Sequence, residues 1–155
     1  LERFVSMQNH YNLTYREEER EMIPLCEKEG VGIVPWSPLA RGYLAHPDEE
    51  FLDTSRAEYM DENEHYAQRI RNYRSNGGIE INERVQELAA EHGVTMAQIA
   101  LAWLLHQDAV DAPIIGTTSV EHLEEAVEAL DISLSDSDLA YLEEPYEPCS
   151  VDGHD

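Results

Sequence analysis

Three short apolar runs constrain this chain more than any other feature. Residues 4–9 (FVSMQN) alternate apolar and polar side chains, residues 31–36 (VGIVPW) are apolar on both faces, and residues 112–117 (APIIGT) form a third such run. Each is too short for a helix, and segments with apolar residues at helical spacing separate and follow them, so the runs read as strands within repeated β-α units. Strands that alternate with helices pair parallel, because a parallel neighbour requires a crossover. Three parallel strands make a poor sheet alone: both edges stay open and both faces need cover. The pattern predicts part of a larger parallel α/β architecture.

The helical segments carry their own punctuation. Thr14 reads as an N-cap with Glu17 three residues on, which predicts a helix to about Glu29 that buries Met22, Ile23, Leu25 and Cys26. Pro24 either kinks that helix or marks a second start, and Gly30 fits its C-terminal stop. Residues 43–78 hold many charges and few periodic apolar positions, and they read as a long loop or insert with a polar helix within 61–73. Ile81, Val85, Leu88 and Ala89 recur at helical spacing up to His92, where Gly93 stops the pattern. Thr95 caps a helix over 96–107 whose Ile99, Ala100, Trp103 and Leu104 need burial. Thr118 or Ser119 caps a helix over 120–130 with Leu123, Val127 and Leu130 facing inward, and Ser135 caps a last one over 136–142. Residues 1–144 thus read as one domain and 145–155 as an irregular tail.

Charge limits the partners. The chain of 155 residues carries 33 Asp plus Glu against 10 Lys plus Arg, a formal net charge of −23, and Lys28 is its single lysine. Such a surface opposes contact with nucleic-acid phosphates or anionic lipid. The acids are dispersed along the chain rather than gathered in a tail. With so little lysine, that points to a protein kept soluble in concentrated salt, where the Debye length falls to about 3 Å at 1 M and self-repulsion is screened. No run reaches the ~18 apolar residues of a membrane span, and no signal peptide opens the sequence. Cys26 and Cys149 lack zinc spacing and are too few for a disulfide framework, so a reducing cytoplasm is the expected setting, with no metal site.

Three collinear motifs carry a family resemblance over essentially the entire chain. SMQNHYN at 6–12, IVPWSPLARG at 33–42, and PIIGTT at 113–118 with EHLEE at 121–125 resemble the C-terminal half of aldo-keto reductases. The bacterial and archaeal branch related to potassium-channel beta subunits is the nearest in appearance, and the charge suggests a haloarchaeal member. The resemblance implies a (β/α)8 barrel, with these strands as the sixth, seventh and eighth and Leu1 just before the sixth.

It also implies an NADP(H) site at the C-terminal mouth of the barrel, where such folds place their chemistry. Gln8 matches the residue that hydrogen-bonds the nicotinamide carboxamide, to which an amide offers both donor and acceptor. Trp36 matches the aromatic that stacks on the nicotinamide ring. Ser37, Pro38, Leu39 and Gly42 match the loop lying against the pyrophosphate; Arg41 in that loop is either a diphosphate contact or a surface arginine. Gly116, Thr117 and Thr118 match the turn that receives the adenosine phosphate. His122 stands where relatives carry Arg or Gln near the 2′-phosphate, Glu125 matches the carboxylate that reads the adenine amino group, and Ala126 replaces the usual Asn. Arg56, in TSR at 54–56, either reaches the 2′-phosphate from the long loop, as a similar arginine does in the channel relatives, or is a solvent-facing loop arginine.

The family's catalytic Asp, Tyr, Lys and His lie on the first four strands, which have no counterpart here, so the resemblance implies no catalytic residue in this chain. The scattered histidines read mostly as solvated surface groups. The expected function is therefore the cofactor-binding half of an NADP(H)-dependent carbonyl reductase, acting on a small carbonyl substrate in a complete barrel and inactive alone. Its completion would come from a missing N-terminal half or a second copy, whether the chain is a fragment or one half of a split gene. The alternative is a non-catalytic module that binds a nucleotide or a protein.

Overall fold

The computed structural model describes residues 2–151, with Arg56 and His65 described in their backbone alone. Strand β1 (Ser6–Met7) pairs parallel with β2 (Gly32–Ile33), Ser6 opposite Gly32 and Met7 opposite Ile33. The ladder runs beyond these short strands: the Val34 N–H donates to the Met7 carbonyl (2.9 Å) and the Trp36 N–H to that of Asn9 (2.8 Å). A third segment joins the far side of β2 through parallel bridges at Ile33–Val110 and Trp36–Ile114. Three steps along β2 there match four along the third segment, which makes a bulge. Asp111 fills it, accepting from the Ile33 N–H through Oδ2 at 2.7 Å. The three apolar runs thus form neighbouring parallel segments in chain order, as their sequence predicts.

Helices cover one side of these strands. They are α1 (Met22–Glu29), α2 (Asp48–Leu52), α3 (Ser55–Asp61), α4 (Glu64–Arg74), α5 (Gly78–His92), α6 (Met96–Leu105), α7 (Val120–Glu128) and α8 (Asp136–Glu143). Helix α6 is the core element: Thr95 and Gln98 close a capping box at its start, and Ile99, Trp103 and Leu104 are fully buried. The Trp103 indole N–H donates to Glu143 on α8 at 2.9 Å, so even this deep ring has its polar partner. Helix α5 packs on both α6 and α8 and stops at Gly93, which takes the left-handed conformation. No single described helix is long and apolar enough to cross a membrane.

Several expectations need correction. The polar helix expected within 61–73 is α4, but the rest of 43–78 is not a long loop: a 3-10 turn (Ala40–Ala45) and helices α2 and α3 fill it, and Tyr43, Leu44, Phe51, Met60 and Tyr73 are buried in the core. Helices α2 and α3 bury only one and two apolar residues, too few to make a period, whereas α4 buries Ala67, Ile70 and Tyr73 three residues apart. The helix expected from Thr14 is a 3-10 turn (Glu17–Arg20) followed by α1, with Pro24 in its first turn where no N–H is required. Thr14 caps nothing there; its hydroxyl donates to Asn12 Oδ1 instead. Ile23 and Cys26 are buried as expected, but Leu25 is exposed.

The largest departure is on α7 and the 3-10 turn (Ala129–Asp131) that continues it. Leu123, Val127 and Leu130 do not face inward: they are 45 %, 55 % and 67 % exposed, beside an exposed Val120. Phe4 and Val5 are likewise bare on the outer edge of β1. By strand alternation, Ser6, Gln8, Val34 and Trp36 share the sheet face opposite the buried Ile33 and Pro35, and all four are exposed or half-buried. The exposed apolar residues are thus concentrated before and on β1 and along α7.

The tail is irregular over 146–151 yet anchored, while residues 152–155 lie outside the described residues. The Cys149 N–H donates to buried Glu17 at 2.8 Å, Tyr146 donates its hydroxyl proton to the same oxygen, and the Glu147 N–H reaches the Asn76 carbonyl. Gly77 permits this approach: it is left-handed (φ 83°), and a Cβ there would fall 1.7 Å from the Pro145 carbonyl oxygen. Cys26 is buried and Cys149 half-buried, and neither is in a disulfide among the described residues.

Candidate functional site

The C-terminal ends of the parallel segments gather the expected residues. Gln8, exposed, lies two positions short of the His10–Trp36 bridge, Trp36 bridges onward to Ile114, and exposed Gly116 follows two residues later. Ligands in parallel α/β sheets bind outside these carboxyl ends.

The 37–42 loop begins there under strain. Ser37, Ala40 and Arg41 all take positive φ (57°, 48° and 60°), as does Gly42 at 98°. Each non-glycine case costs on the order of 1–3 kcal/mol and persists only where its surroundings fix it. The fixings are visible: Asn12, fully buried, donates to the Ser37 carbonyl at 2.9 Å, and buried Asn82 donates to the carbonyls of Tyr43 and His46. Farther out, the Tyr43 hydroxyl and both arms of Arg74 converge on Asp48 at 2.7–2.8 Å. The Arg74 hydrogen bond holds the Asp48 carboxyl below the usual carboxylate range, and burial pushes the Tyr43 phenol up. The loop is closed on itself: the Ala40 N–H donates to the Ser37 carbonyl and the N–H groups of Gly42 and Leu44 to that of Leu39.

Trp36 is not the open platform the sequence implies. His10 stacks on it (4.2 Å, 15°), Tyr15 stacks on the other face of His10 (4.2 Å, 14°), and the Arg69 guanidinium lies over the indole at 5.2 Å from its centre. An imidazole at stacking distance fills one face, which leaves the other to Arg69. His10 is buried with Nε2 2.7 Å from the Tyr73 hydroxyl, so it is no solvated surface group. Sequence reasoning missed this column although Arg69 and Tyr73 lie in the polar helix expected within 61–73, because helical spacing does not say which strand end that helix packs against. The alternation that places His10 beside Trp36 was the available signal.

The remaining residues are more scattered. Pro38 is buried and Leu39 half-buried in the loop. Thr118 is exposed, and Ser119 caps α7 by accepting from the His122 N–H at 3.1 Å. His122 is exposed on the first turn of α7, while Glu125 is half-buried with its carbonyl accepting from Gln98. The Arg56 side chain lies outside the described residues. Lys28, the single lysine, is exposed on α1, away from the strand ends. Among the described residues no cluster of His, Cys, Asp or Glu could hold a metal ion.

Comparison with known proteins agrees with this geometry. The chain is similar to the aldo-keto reductase AMT2 of Alternaria alternata (44 % identity over 156 residues, 98 % of this chain and 39 % of that one). It is also similar to the versiconal hemiacetal acetate reductase of Aspergillus parasiticus (42 % identity, 96 % of this chain and 42 % of that one). Among solved structures, a thermostable aldo-keto reductase crystallised with the inhibitor epalrestat superposes with a TM-score of 0.66 at 29 % identity, covering 93 % of this chain and 40 % of that one. The chain spans about two fifths of the length of these relatives. The aldo/keto reductase family model matches residues 2–147, so nearly every described residue falls within it, and this chain belongs to the aldo/keto reductase family.

Proposed function

We propose that this chain is the NADP(H)-binding part of a carbonyl reductase, its strands corresponding to the sixth, seventh and eighth of a (β/α)8 barrel. The observation that carries the reading is the convergence of Gln8, Trp36, the strained 37–42 loop and Gly116 at one end of a parallel sheet. An orphaned polar atom supports the fit: Arg41 Nε is buried with no acceptor, as expected of a loop shaped for an anionic ligand. The bound nicotinamide would supply hydride to a carbonyl. The chain's own residues bind and orient: Gln8 holds the carboxamide, the 37–42 loop faces the diphosphate, and Gly116, Thr118, His122, Glu125 and Arg56 serve the adenosine end. Trp36 offers its ring once Arg69 moves aside. None of these residues moves a proton to the carbonyl oxygen, so carbonyl reduction needs groups from outside this set.

The bare edge of β1 and the apolar stripe of α7 favour completion by further strands, from a missing N-terminal half or a second copy. The net charge of −23 favours a working environment of concentrated salt. Fluorescence titration with NADPH tests the reading. Trp103 is fully buried, so quenching is expected to come from Trp36 and to vanish in Trp36→Phe. No quenching at any salt concentration up to about 2 M KCl, or quenching that survives Trp36→Phe, overturns it.

A further inference from the structure

Trp36 is pinned in its backbone and free in its ring. Its N–H donates to the Asn9 carbonyl at 2.8 Å on one side, and the Pro35 carbonyl before it accepts from the Ile114 N–H at 2.7 Å on the other. Those bonds set where the indole is attached. They leave its two side-chain torsions open, and the chain turns away at once into left-handed Ser37 (φ 57°). Whatever fixes the plane of the ring must therefore be a side chain.

His10 is placed to do this. It bridges to Trp36 across the parallel pair, and its buried ring lies between those of Trp36 and Tyr15, 4.2 Å from each and tilted by 15° and 14°. Stacking resists separation and tilt, but it has no strong direction within the plane of the rings. A hydrogen bond is directional. His10 Nε2 meets the Tyr73 hydroxyl at 2.7 Å, and the Tyr73 ring stands edge-on to the imidazole at 5.7 Å. Tyr73 is 1 % exposed and belongs to α4, so this anchor is tied to the core rather than to the strand ends. Face and edge contacts together fix the imidazole, and the stack passes that orientation to the indole. Arg69, which covers the other face of Trp36, stands four residues before Tyr73 on the same helix. That spacing is about 6 Å of helix rise, so one turn of α4 meets the column at both ends.

We propose that His10 is a positioning residue for the nicotinamide end of the site, locked by Tyr73 and acting through the plane of Trp36 without touching the ligand. The proposal rests on the nucleotide reading for the identity of the ring that stacks there. A planar ring seated on Trp36 takes its tilt and height from the indole, so a loosened His10 would blur the placement of that ring and weaken its binding while the fold stays intact. Fluorine NMR of the intact chain labelled with 5-fluorotryptophan tests this, since the two tryptophans give one line each and Trp36→Phe identifies them. The Trp103 line comes from the core and reports whether a variant folds. Tyr73→Phe removes the hydroxyl and keeps the ring, whereas His10→Phe keeps the stack and removes Nε2. In each we expect the Trp36 line to shift or broaden while the Trp103 line stays in place. NADPH affinity, read by calorimetry, should fall about threefold to tenfold, the size of one hydrogen bond's net contribution. The double variant should lose no more than the worse single one, because both changes remove the same bond.

A Trp36 line unmoved by Tyr73→Phe overturns the positioning role, as do full NADPH affinity in that variant and a double variant whose losses add; each leaves the nucleotide reading standing. Equal shifts of both tryptophan lines would mean general loosening of the core and overturn it too. If the unaltered chain binds no NADPH, the nucleotide reading falls by itself, and the fluorine lines still decide whether His10 sets the plane of the indole.

Discussion

Replacing the apolar stripe of α7 and the 3-10 turn after it with glutamine is expected to leave this chain folded and only modestly weakened. Leu123, Val127 and Leu130 are already 45 %, 55 % and 67 % exposed. Full burial of such a side chain stabilises by about 1.5–3 kcal/mol, so the buried third to half of each holds roughly 0.5–1.5 kcal/mol. The triple variant Leu123→Gln, Val127→Gln, Leu130→Gln should therefore lose roughly 2–4 kcal/mol, less the few tenths that glutamine gains over valine in helix propensity. Were the stripe packed inward, as its periodicity alone implies, three core truncations at about 2–5 kcal/mol each would cost roughly 6–15 kcal/mol and exceed the stability of most domains. Urea unfolding followed by circular dichroism measures the difference, with an unchanged slope confirming that the folded state is the same. A variant that fails to fold would refute the open-flank description. The same variant should also lose any partner that completes the barrel through this face.

Three further outcomes follow from other contacts. Gly77→Ala should cost more than Gly93→Ala in urea unfolding: both are left-handed, worth about 1–2 kcal/mol against a non-glycine residue, but a Cβ at 77 also strikes the Pro145 carbonyl while that at 93 meets nothing within 4 Å. Equal losses would mean that the tail does not close on the α4–α5 turn. Asp48 is held below the ordinary carboxylate range by Arg74 and Tyr43, so its stabilisation is present above the unfolded value of about 4 and is lost as pH falls through the lower folded one. Between pH 7 and 3 the parent chain should lose stability that Asp48→Asn does not, and parallel urea midpoints would contradict this. Finally, Arg69→Leu should open Trp36 to N-methylnicotinamide, read as stronger fluorescence quenching; an unchanged quench would show that Arg69 does not shield the ring.

How much could be read beforehand depended on the range of the forces involved. The capping pairs at Thr95 and Ser135 and the left-handed stop at Gly93 are local, and they stand where the sequence puts them. The parallel pairing was legible because residues 31–36 are apolar on both faces, which suits a strand between neighbours. In the 43–78 stretch only the helix within 61–73 was legible, because the burial of the segment before it comes from one or two residues per short helix, such as Phe51 on α2 and Met60 on α3. Helix α7 misled in the opposite direction: its periodicity is real, but the surface it would need is absent from this chain's own elements. At the site, Gln8, Trp36 and Gly116 stand near the strand ends, where the sequence puts them, whereas the His10 column depends on Arg69 and Tyr73 of α4 and was invisible to spacing.

Backbone amide NMR of the isotopically labelled chain, with and without NADPH, tests the central claim most directly. Shifts concentrated at Gln8, Trp36, the 37–42 loop and residues 116–118 are the predicted result, since those positions share one end of the parallel sheet. Shifts centred on α5 and α8, or none at saturating NADPH, would contradict a nucleotide groove at the strand ends.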